Sequence, residues 1–243
     1  MAADRLSVVI PAYNEERFIG TLLERVRAVD LSRFGLGKEI IVIDDHSSDR
    51  TAEIARSVPE TVVRRLERNA GKGNAVRVGI GLATGAYVII QDADLEYDPN
   101  DYVPMLERLI HDGLDAVYGS RYMRSPAHSR SGGLLGGRHP SQSWPAYLGG
   151  RSLSIVAMLA TGRYLTDTVT ALKLFRRELI QSLDLETTGF ETDHEISAKV
   201  LARGRRIEEV PIHYFPRSRT EGKKIGLADW FTAVRTLVRY RNG

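Results

Sequence analysis

The sequence predicts an α/β protein with a Rossmann-like, doubly wound and mostly parallel sheet, closed by helical elements in its C-terminal part. Three observations carry that prediction. Short β-branched runs alternate with amphipathic helical stretches through the first half of the chain, a rhythm that calls for parallel strands joined by crossover helices. Several of those runs end in polar clusters, "AYNE", "DDHS", "QDADLE" and "GSR", which gathers the clusters on the rim where such sheets bind ligands. A chain of 243 residues, 42% of them hydrophobic, is long enough to bury a sizeable core.

The elements follow in order. "LSVVIP" (6–11) reads as a buried strand, and after it Phe18, Ile19, Leu22, Leu23 and Val26 share one helical face. "KEIIVIDD" (38–45) is a second strand, and "SSDRTAEIARSV" a short helix with Ser and Asp at its start as capping residues. "TVVRRLE" is a third strand, "GKGNAVRVGIGLAT" a helix entered through glycines, and "YVIIQ" a fourth strand. The helix "YVPMLERLIHDG" leads to a fifth strand, "DAVYGSR". Residues 122–150, rich in Gly, Ser, Pro and basic side chains, read as a long flexible loop. Beyond it lie an apolar helix "RSLSIVAMLATG", the segment "YLTDTVTALKLFRREL", an acidic cluster "FETDHE", a strand "RIEEVPIHYF", a basic loop and a closing helix "LADWFTAVRTLVRYR".

Composition narrows the function classes. The chain has no cysteine, which excludes disulfides and thiolate chemistry and suits the cytoplasm. No apolar run reaches the roughly 18 residues of a membrane span, and "MAADRLSVVIPAYNE" is not expected to act as a secretion leader. A net charge of +3 suits a polyanionic small ligand or an anionic membrane surface; no nucleic-acid partner is expected.

The stretch "YVIIQDADLEYDP" sets Asp92, Asp94 and Glu96 on alternate positions, so they project to one side in extended backbone. Their hard oxygens suit Mg²⁺ or Mn²⁺ bound together with substrate phosphates, and they suit a solvated turn before the next helix equally well. "GKGNA" offers backbone N–H groups at a helix N-terminus plus Lys72, a cradle for a diphosphate; neither a Walker A loop nor the dinucleotide fingerprint is present. Tyr13 and Glu15 suit packing on and hydrogen-bonding a nucleoside, and Asp44 or Asp45 reading a base or ribose edge, while each taken singly suits a turn residue or helix cap better. Arg217, Arg219, Lys223 and Lys224 in the basic loop offer charge to phosphates, Arg121 and Arg151 flank the Gly/Ser-rich segment, and "FETDHE" brings Glu191, Asp193 and Glu195 close together. An acid there serves as a base, orients hydroxyls, or lines a helix start.

"VVIPAYNEE", "IIVIDDHSSDRT", "NAGKGNAVRVGIGLATGAYVIIQDADLEYDP" and "GSR" together resemble the inverting glycosyltransferase family 2, with its nucleotide-sugar-binding GT-A fold. "LTDTVTALKLFRREL", "GFETDHEISAKVLARG" and "RIEEVPIHYFPRSRTEGKKIGLADW" resemble its dolichol- or polyprenyl-phosphate branch, the dolichol-phosphate mannose synthase group. The resemblance implies one catalytic domain over 1–243: a nucleotide-sugar half (1–121), the loop (122–150) and an acceptor-side half (151–243). It implies metal at Asp92, Asp94 and Glu96, with Glu96 standing where the mannose synthases carry Gln. Pro11, Tyr13, Glu15, Asp44, Lys72 and Asp92 are implied to hold the donor, and Arg217 and Lys224 to close over its phosphates. Arg121, Arg151 and Ser154 are implied at the acceptor phosphate, and Asp94, Asp193 and Arg121 at the reaction centre. Ala171 and Leu172 depart from the family's Cys-Tyr or Gly-Phe pair, which touches acceptor identity more than reaction class.

The expected activity is transfer of a sugar, from a GDP-mannose or UDP-glucose type of donor, to a polyprenyl phosphate. The alternatives are a family 2 enzyme with a soluble acceptor, a phosphoglycerate or sugar hydroxyl, and more remotely a nucleotidyltransferase, although "PAYNEE" lacks that class's Gly-rich loop. Leu227, Trp230, Phe231, Val234, Leu237 and Val238 form a stripe on the closing helix, with Arg235, Arg239 and Arg241 at or off its edge. The stripe suits peripheral contact with the cytoplasmic membrane face or packing on the core. A second copy or a membrane partner subunit stays open.

Overall fold

The computed structural model describes residues 4–123, 144–216 and 226–242. Its strands are β1 (Arg5–Ala12), β2 (Gly37–Asp44), β3 (Thr61–Arg65), β4 (Tyr87–Ile90), β5 (Ala116–Ser120), β6 (Lys173–Arg176) and β7 (Ile207–Pro211). The helices are α1 (Ile19–Ala28), α2 (Thr51–Ser57), α3 (Lys72–Leu82), α4 (Tyr102–His111), α5 (Trp144–Thr161), α6 (Arg177–Ser182), α7 (Thr192–Ala202) and α8 (Leu227–Arg239). All seven strands join one sheet in the order β3-β2-β1-β4-β6-β5-β7. Every described pairing is parallel except those of β6, which runs antiparallel to both β4 and β5. The chain winds outward from β1 through β2 to β3, then crosses back to β4 on the other side of β1. That reversal puts the topological switch point between β1 and β4.

The alternation of β1 explains the two-sided core. Leu6, Val8 and Ile10 meet Ile19, Leu22, Leu23 and Val26 of α1 and Met105, Leu106 and Leu109 of α4. Val9 points the other way, to Ile41, Ile43 and Ile90 and to Ala75, Val76 and Ile80 of α3. Each fully buried aliphatic side chain of this kind contributes about 1.5–3 kcal/mol, so a register slip in β1, which would exchange its two faces, is strongly opposed.

One expectation needs correction. The segment 122–150 is not a loop to its end, because α5 already begins at Trp144. Gly150 is not a loop residue but a close-approach point: a Cβ there would lie 2.9 Å from the Tyr122 hydroxyl, and Pro145 is tolerated in a first helical turn. The segment "YLTDTVTALKLFRREL", given no element from the sequence, contributes β6, the four residues "KLFR" that complete the sheet between β4 and β5. On α8, Leu237 is fully buried with Ala157 of α5 and Ala198 of α7, whereas Phe231 and Val238 remain exposed. The helix therefore packs on the protein along one face only. No helix among the described residues is long and apolar enough to cross a membrane.

Candidate functional site

The rim at the switch point is stitched together by loop-to-loop hydrogen bonds. The Asn14 amide donates to Ser47 Oγ (2.9 Å) and the Glu15 amide to Thr51 Oγ1 (2.8 Å), while Asn14 Oδ1 accepts from the Ser48 amide (2.8 Å). These bonds tie the end of β1 to the end of β2. Pro11 is buried in β1, and Tyr13, just past it, is about half exposed, an aromatic face turned to solvent. Asp44 and Asp45 divide the work at the end of β2. Asp45 accepts from the Ala70 and Gly71 amides, both at 2.8 Å, and so fixes the approach to α3. Asp44 is fully buried; its Oδ1 accepts from the Ser47 amide (3.2 Å) and its Oδ2 lies 3.2 Å from Arg65 Nε without hydrogen-bond alignment. Of the pair, Asp44 is the one with acceptor capacity left over.

Gly73 explains how the glycine-entered helix reaches the acidic cluster. A Cβ at Gly73 would sit 1.8 Å from Thr192 Oγ1, so only glycine lets the first turn of α3 press against the first turn of α7. The contact aligns four alternating charges. Lys72 Nζ is 2.7 Å from Asp92 Oδ1 and 3.5 Å from Asp193 Oδ2, and Lys173 Nζ is 2.8 Å from Asp193 Oδ1. Lys173 is fully buried and also donates to the Thr170 carbonyl. Burial pulls the Lys72 ammonium down, but Asp92 and then Asp193 outweigh it and hold its pKa above the ordinary value. Burial pushes the Asp193 carboxyl up, yet Lys173 and Lys72 overcome it and hold the group ionised, below its usual range. Lys173 escaped the sequence reading; its only signal is a lysine inside the apolar run "ALKLF".

Asp92 and Asp94 stand at the end of β4, both partly buried. Asp94 Oδ1 accepts from the Glu96 amide (3.1 Å). Glu96, two residues on, is also partly buried. Its Oε2 accepts from the Tyr214 hydroxyl (3.2 Å), and its carbonyl from the Phe215 amide (2.8 Å). Among the described residues no three His, Asp or Glu side chains are grouped to cage an ion. Two hard carboxylates at a rim nonetheless fit Mg²⁺ or Mn²⁺, which is commonly held by one or two carboxylates and completed by substrate phosphates.

At the end of β5, Arg121 makes a bidentate pair with buried Asp167, Nε to Oδ2 at 2.7 Å and Nη2 to Oδ1 at 2.8 Å. Its guanidinium lies 5.2 Å from the Tyr214 ring centre. Asp167 is held in turn by β7, since Glu209 Oε1 accepts from its amide (2.9 Å) and Oε2 from the Thr166 amide (2.7 Å). Arg151 is buried beside this loop, with Nη1 donating to the Thr166 carbonyl (3.3 Å) and the rings of Tyr122 and Tyr164 within 6 Å. Ser154 is fully buried, and its hydroxyl is within 3.4 Å of the Gly150 and Thr166 carbonyls. Glu191 accepts from the Gly189 amide, and Glu195 is buried against the Glu186 and Thr187 amides and Lys199, so Asp193 alone of that cluster faces the lysines. Arg217, Arg219, Lys223 and Lys224 lie outside the described residues.

His194, next to Asp193 on α7, is buried, and its Nδ1 has no hydrogen-bond partner among the described residues. Burial lowers its pKa from 6.5 to about 4. Between those values the unfolded chain takes up a proton that the folded one refuses, so folding stability is full above about pH 6.5 and falls as the pH drops toward 4. The loss from this group is about 2 kcal/mol between pH 7 and pH 5. Urea unfolding at those two pH values is expected to show it, and His194→Leu to remove most of it; an unchanged pH slope in the variant would contradict the assignment.

The profile of glycosyl transferase family 2 matches residues 7–183. A dolichol-phosphate mannosyltransferase of Pyrococcus furiosus is 32% identical over 235 residues, covering 91% of this chain and 60% of its own length. A dolichyl-phosphate hexose transferase of Haloferax volcanii is 32% identical over 220 residues, covering 88% of this chain and 85% of its own. The chain therefore spans only part of the Pyrococcus protein. Among solved structures, the glucosyl-3-phosphoglycerate synthase of Mycobacterium tuberculosis with Mn²⁺, UDP-glucose and phosphoglyceric acid superposes with a TM-score of 0.68 at 21% identity, covering 98% of this chain and 80% of that one. The same fold underlies both.

Proposed function

The chain belongs to glycosyl transferase family 2, and on that premise we propose that it moves a sugar from a nucleotide-sugar donor to a polyprenyl phosphate, with inversion. The observation that carries this reading is Asp193 held ionised between Lys72 and Lys173. A carboxylate pinned low in this way is a poor base. It cannot readily activate a hydroxyl, whereas an acceptor phosphate oxygen is already nucleophilic and needs no proton removed. The relatives' names, dolichol-phosphate mannosyltransferase and dolichyl-phosphate hexose transferase, support the same acceptor class.

In this account the exposed Tyr13 packs on the nucleoside, with Glu15 and Asp44 as its hydrogen-bonding partners. Lys72 neutralises Asp92 until a donor arrives, then turns to the diphosphate and releases the carboxylate. Asp92 and Asp94 would hold a divalent ion, Mg²⁺ or Mn²⁺, which would supply positive charge to the leaving diphosphate. Arg121, held flat by Asp167, and Arg151 receive the acceptor phosphate. One of its oxygens attacks the anomeric carbon; the bond to the diphosphate breaks, and its electron pair leaves with the nucleoside diphosphate from the opposite face. The transition state has oxocarbenium character, and Asp193 orients the sugar. Arg217 and Lys224 are assigned to the departing diphosphate. The enzyme acts as a single domain, peripheral to the cytoplasmic membrane face.

Incubation with a nucleotide sugar, acceptor and Mn²⁺ is expected to release a nucleoside diphosphate. Release of pyrophosphate instead would replace glycosyl transfer with nucleotidyl transfer.

A further inference from the structure

Arg121, at the end of β5, and Arg151, on α5, come from separate elements, yet both are fastened to one dipeptide, Thr166–Asp167. The Asp167 carboxylate holds Arg121 by its guanidinium and also by its main chain, with the Arg121 amide donating to Oδ2 at 3.1 Å. The Thr166 carbonyl accepts from Arg151 Nη1 at 3.3 Å. The dipeptide itself belongs to no strand or helix. Two guanidiniums hung from a loop keep a fixed spacing only if a rigid element holds that loop.

Glu209 supplies the hold. It stands on β7 opposite Tyr118, where β7 pairs in parallel with β5. Its carboxylate takes every donor the dipeptide offers: the Thr166 amide at 2.7 Å, the Thr166 hydroxyl at 2.9 Å and the Asp167 amide at 2.9 Å. A carboxylate only accepts, and that sets the direction of the bonds beyond it. The Thr166 hydroxyl gives its hydrogen to Glu209, so it accepts from the Ser120 hydroxyl, 2.6 Å away. The Ser120 oxygen in turn accepts from the Tyr122 and Met123 amides, each at 3.2 Å, which curls the backbone around Arg121. One carboxylate thus reaches Arg121 by two routes, through Asp167 and through the hydroxyl chain, and Arg151 by a third. We propose that Glu209 is a positioning residue for the acceptor phosphate, touching no substrate itself but setting the spacing of the Arg121 and Arg151 guanidiniums that receive it. The inference rests on the reading of those arginines as the acceptor site. It does not require a lipid, because the phosphate of a soluble acceptor would meet the same pair.

The test is steady-state transfer by the full chain, with donor and acceptor concentrations varied separately. Glu209→Gln is nearly isosteric, but it turns one accepting oxygen into a donor that faces another donor. It is expected to raise the KM for polyprenyl phosphate by about 10- to 100-fold, the cost of a reacting partner held slightly out of place. The donor KM and the nucleoside diphosphate-induced rise in melting temperature are expected to stay as in the wild type, which shows a folded chain with an intact donor site. Thr166→Val keeps the backbone links to Glu209 and Arg151 and deletes only the hydroxyl chain, so it is expected to raise the acceptor KM by a smaller factor. An acceptor KM unchanged in either variant would overturn the proposal. So would donor and acceptor KM rising together, since that is the mark of a general loss of structure. If the wild-type chain transfers to phosphoglycerate instead of polyprenyl phosphate, the lipid reading fails by itself, and the same two variants decide the inference through their KM for phosphoglycerate.

Discussion

Asp94→Ala is expected to cut turnover by about 10²- to 10³-fold, the scale on which single charge-stabilising groups act in a transition state. The substitution removes one of the two carboxylates, Asp92 and Asp94, that stand partly buried at the end of β4. It leaves the core alone, since Asp94 is only partly buried at the rim. Far-UV circular dichroism and melting temperature should therefore stay near wild type while Mn²⁺-dependent product formation collapses. Normal turnover in the variant would refute the metal assignment.

Asp193→Ala is expected to have the largest effect on stability, about 3–5 kcal/mol, because it strands the fully buried Lys173 without its partner. Reversing the logic gives the control. Asp193→Ala combined with Lys173→Met removes both charges and is expected to recover most of that loss, since an apolar replacement of a buried pair is often close to neutral. Denaturant unfolding of the two single variants and the double variant measures the coupling directly. Activity should not return with stability if Asp193 also orients the sugar. A double variant as unstable as Asp193→Ala alone would contradict the buried-pair account.

Much of this was legible in the sequence because it is local. Strand-to-helix alternation places Tyr13, Asp44, Lys72 and Asp92 on one rim, and the sheet order puts that rim at the β1–β4 switch point. What was missed is non-local or short. The pairing of Lys173 with Asp193 joins β6 to α7, and no spacing rule connects residues from separate elements. Strand β6 is four residues long, too short for a period to declare itself. The hydrogen bond of Glu96 with Tyr214, far along the chain, is likewise non-local. The contact of the buried Ser154 hydroxyl on α5 with the Thr166 carbonyl is non-local in the same way.

The central claim is transfer to a lipid phosphate, and the partition of labelled product tests it most directly. The protein would be incubated with Mn²⁺, a radiolabelled nucleotide sugar, and an equimolar mixture of polyprenyl phosphate and a soluble acceptor such as phosphoglycerate, then extracted into organic solvent. The account predicts that label moves into the organic phase as a polyprenyl-phosphate sugar, and that the transfer is lost in Asp94→Ala. Label confined to the aqueous phase on the soluble acceptor, with no glycolipid formed, would contradict it.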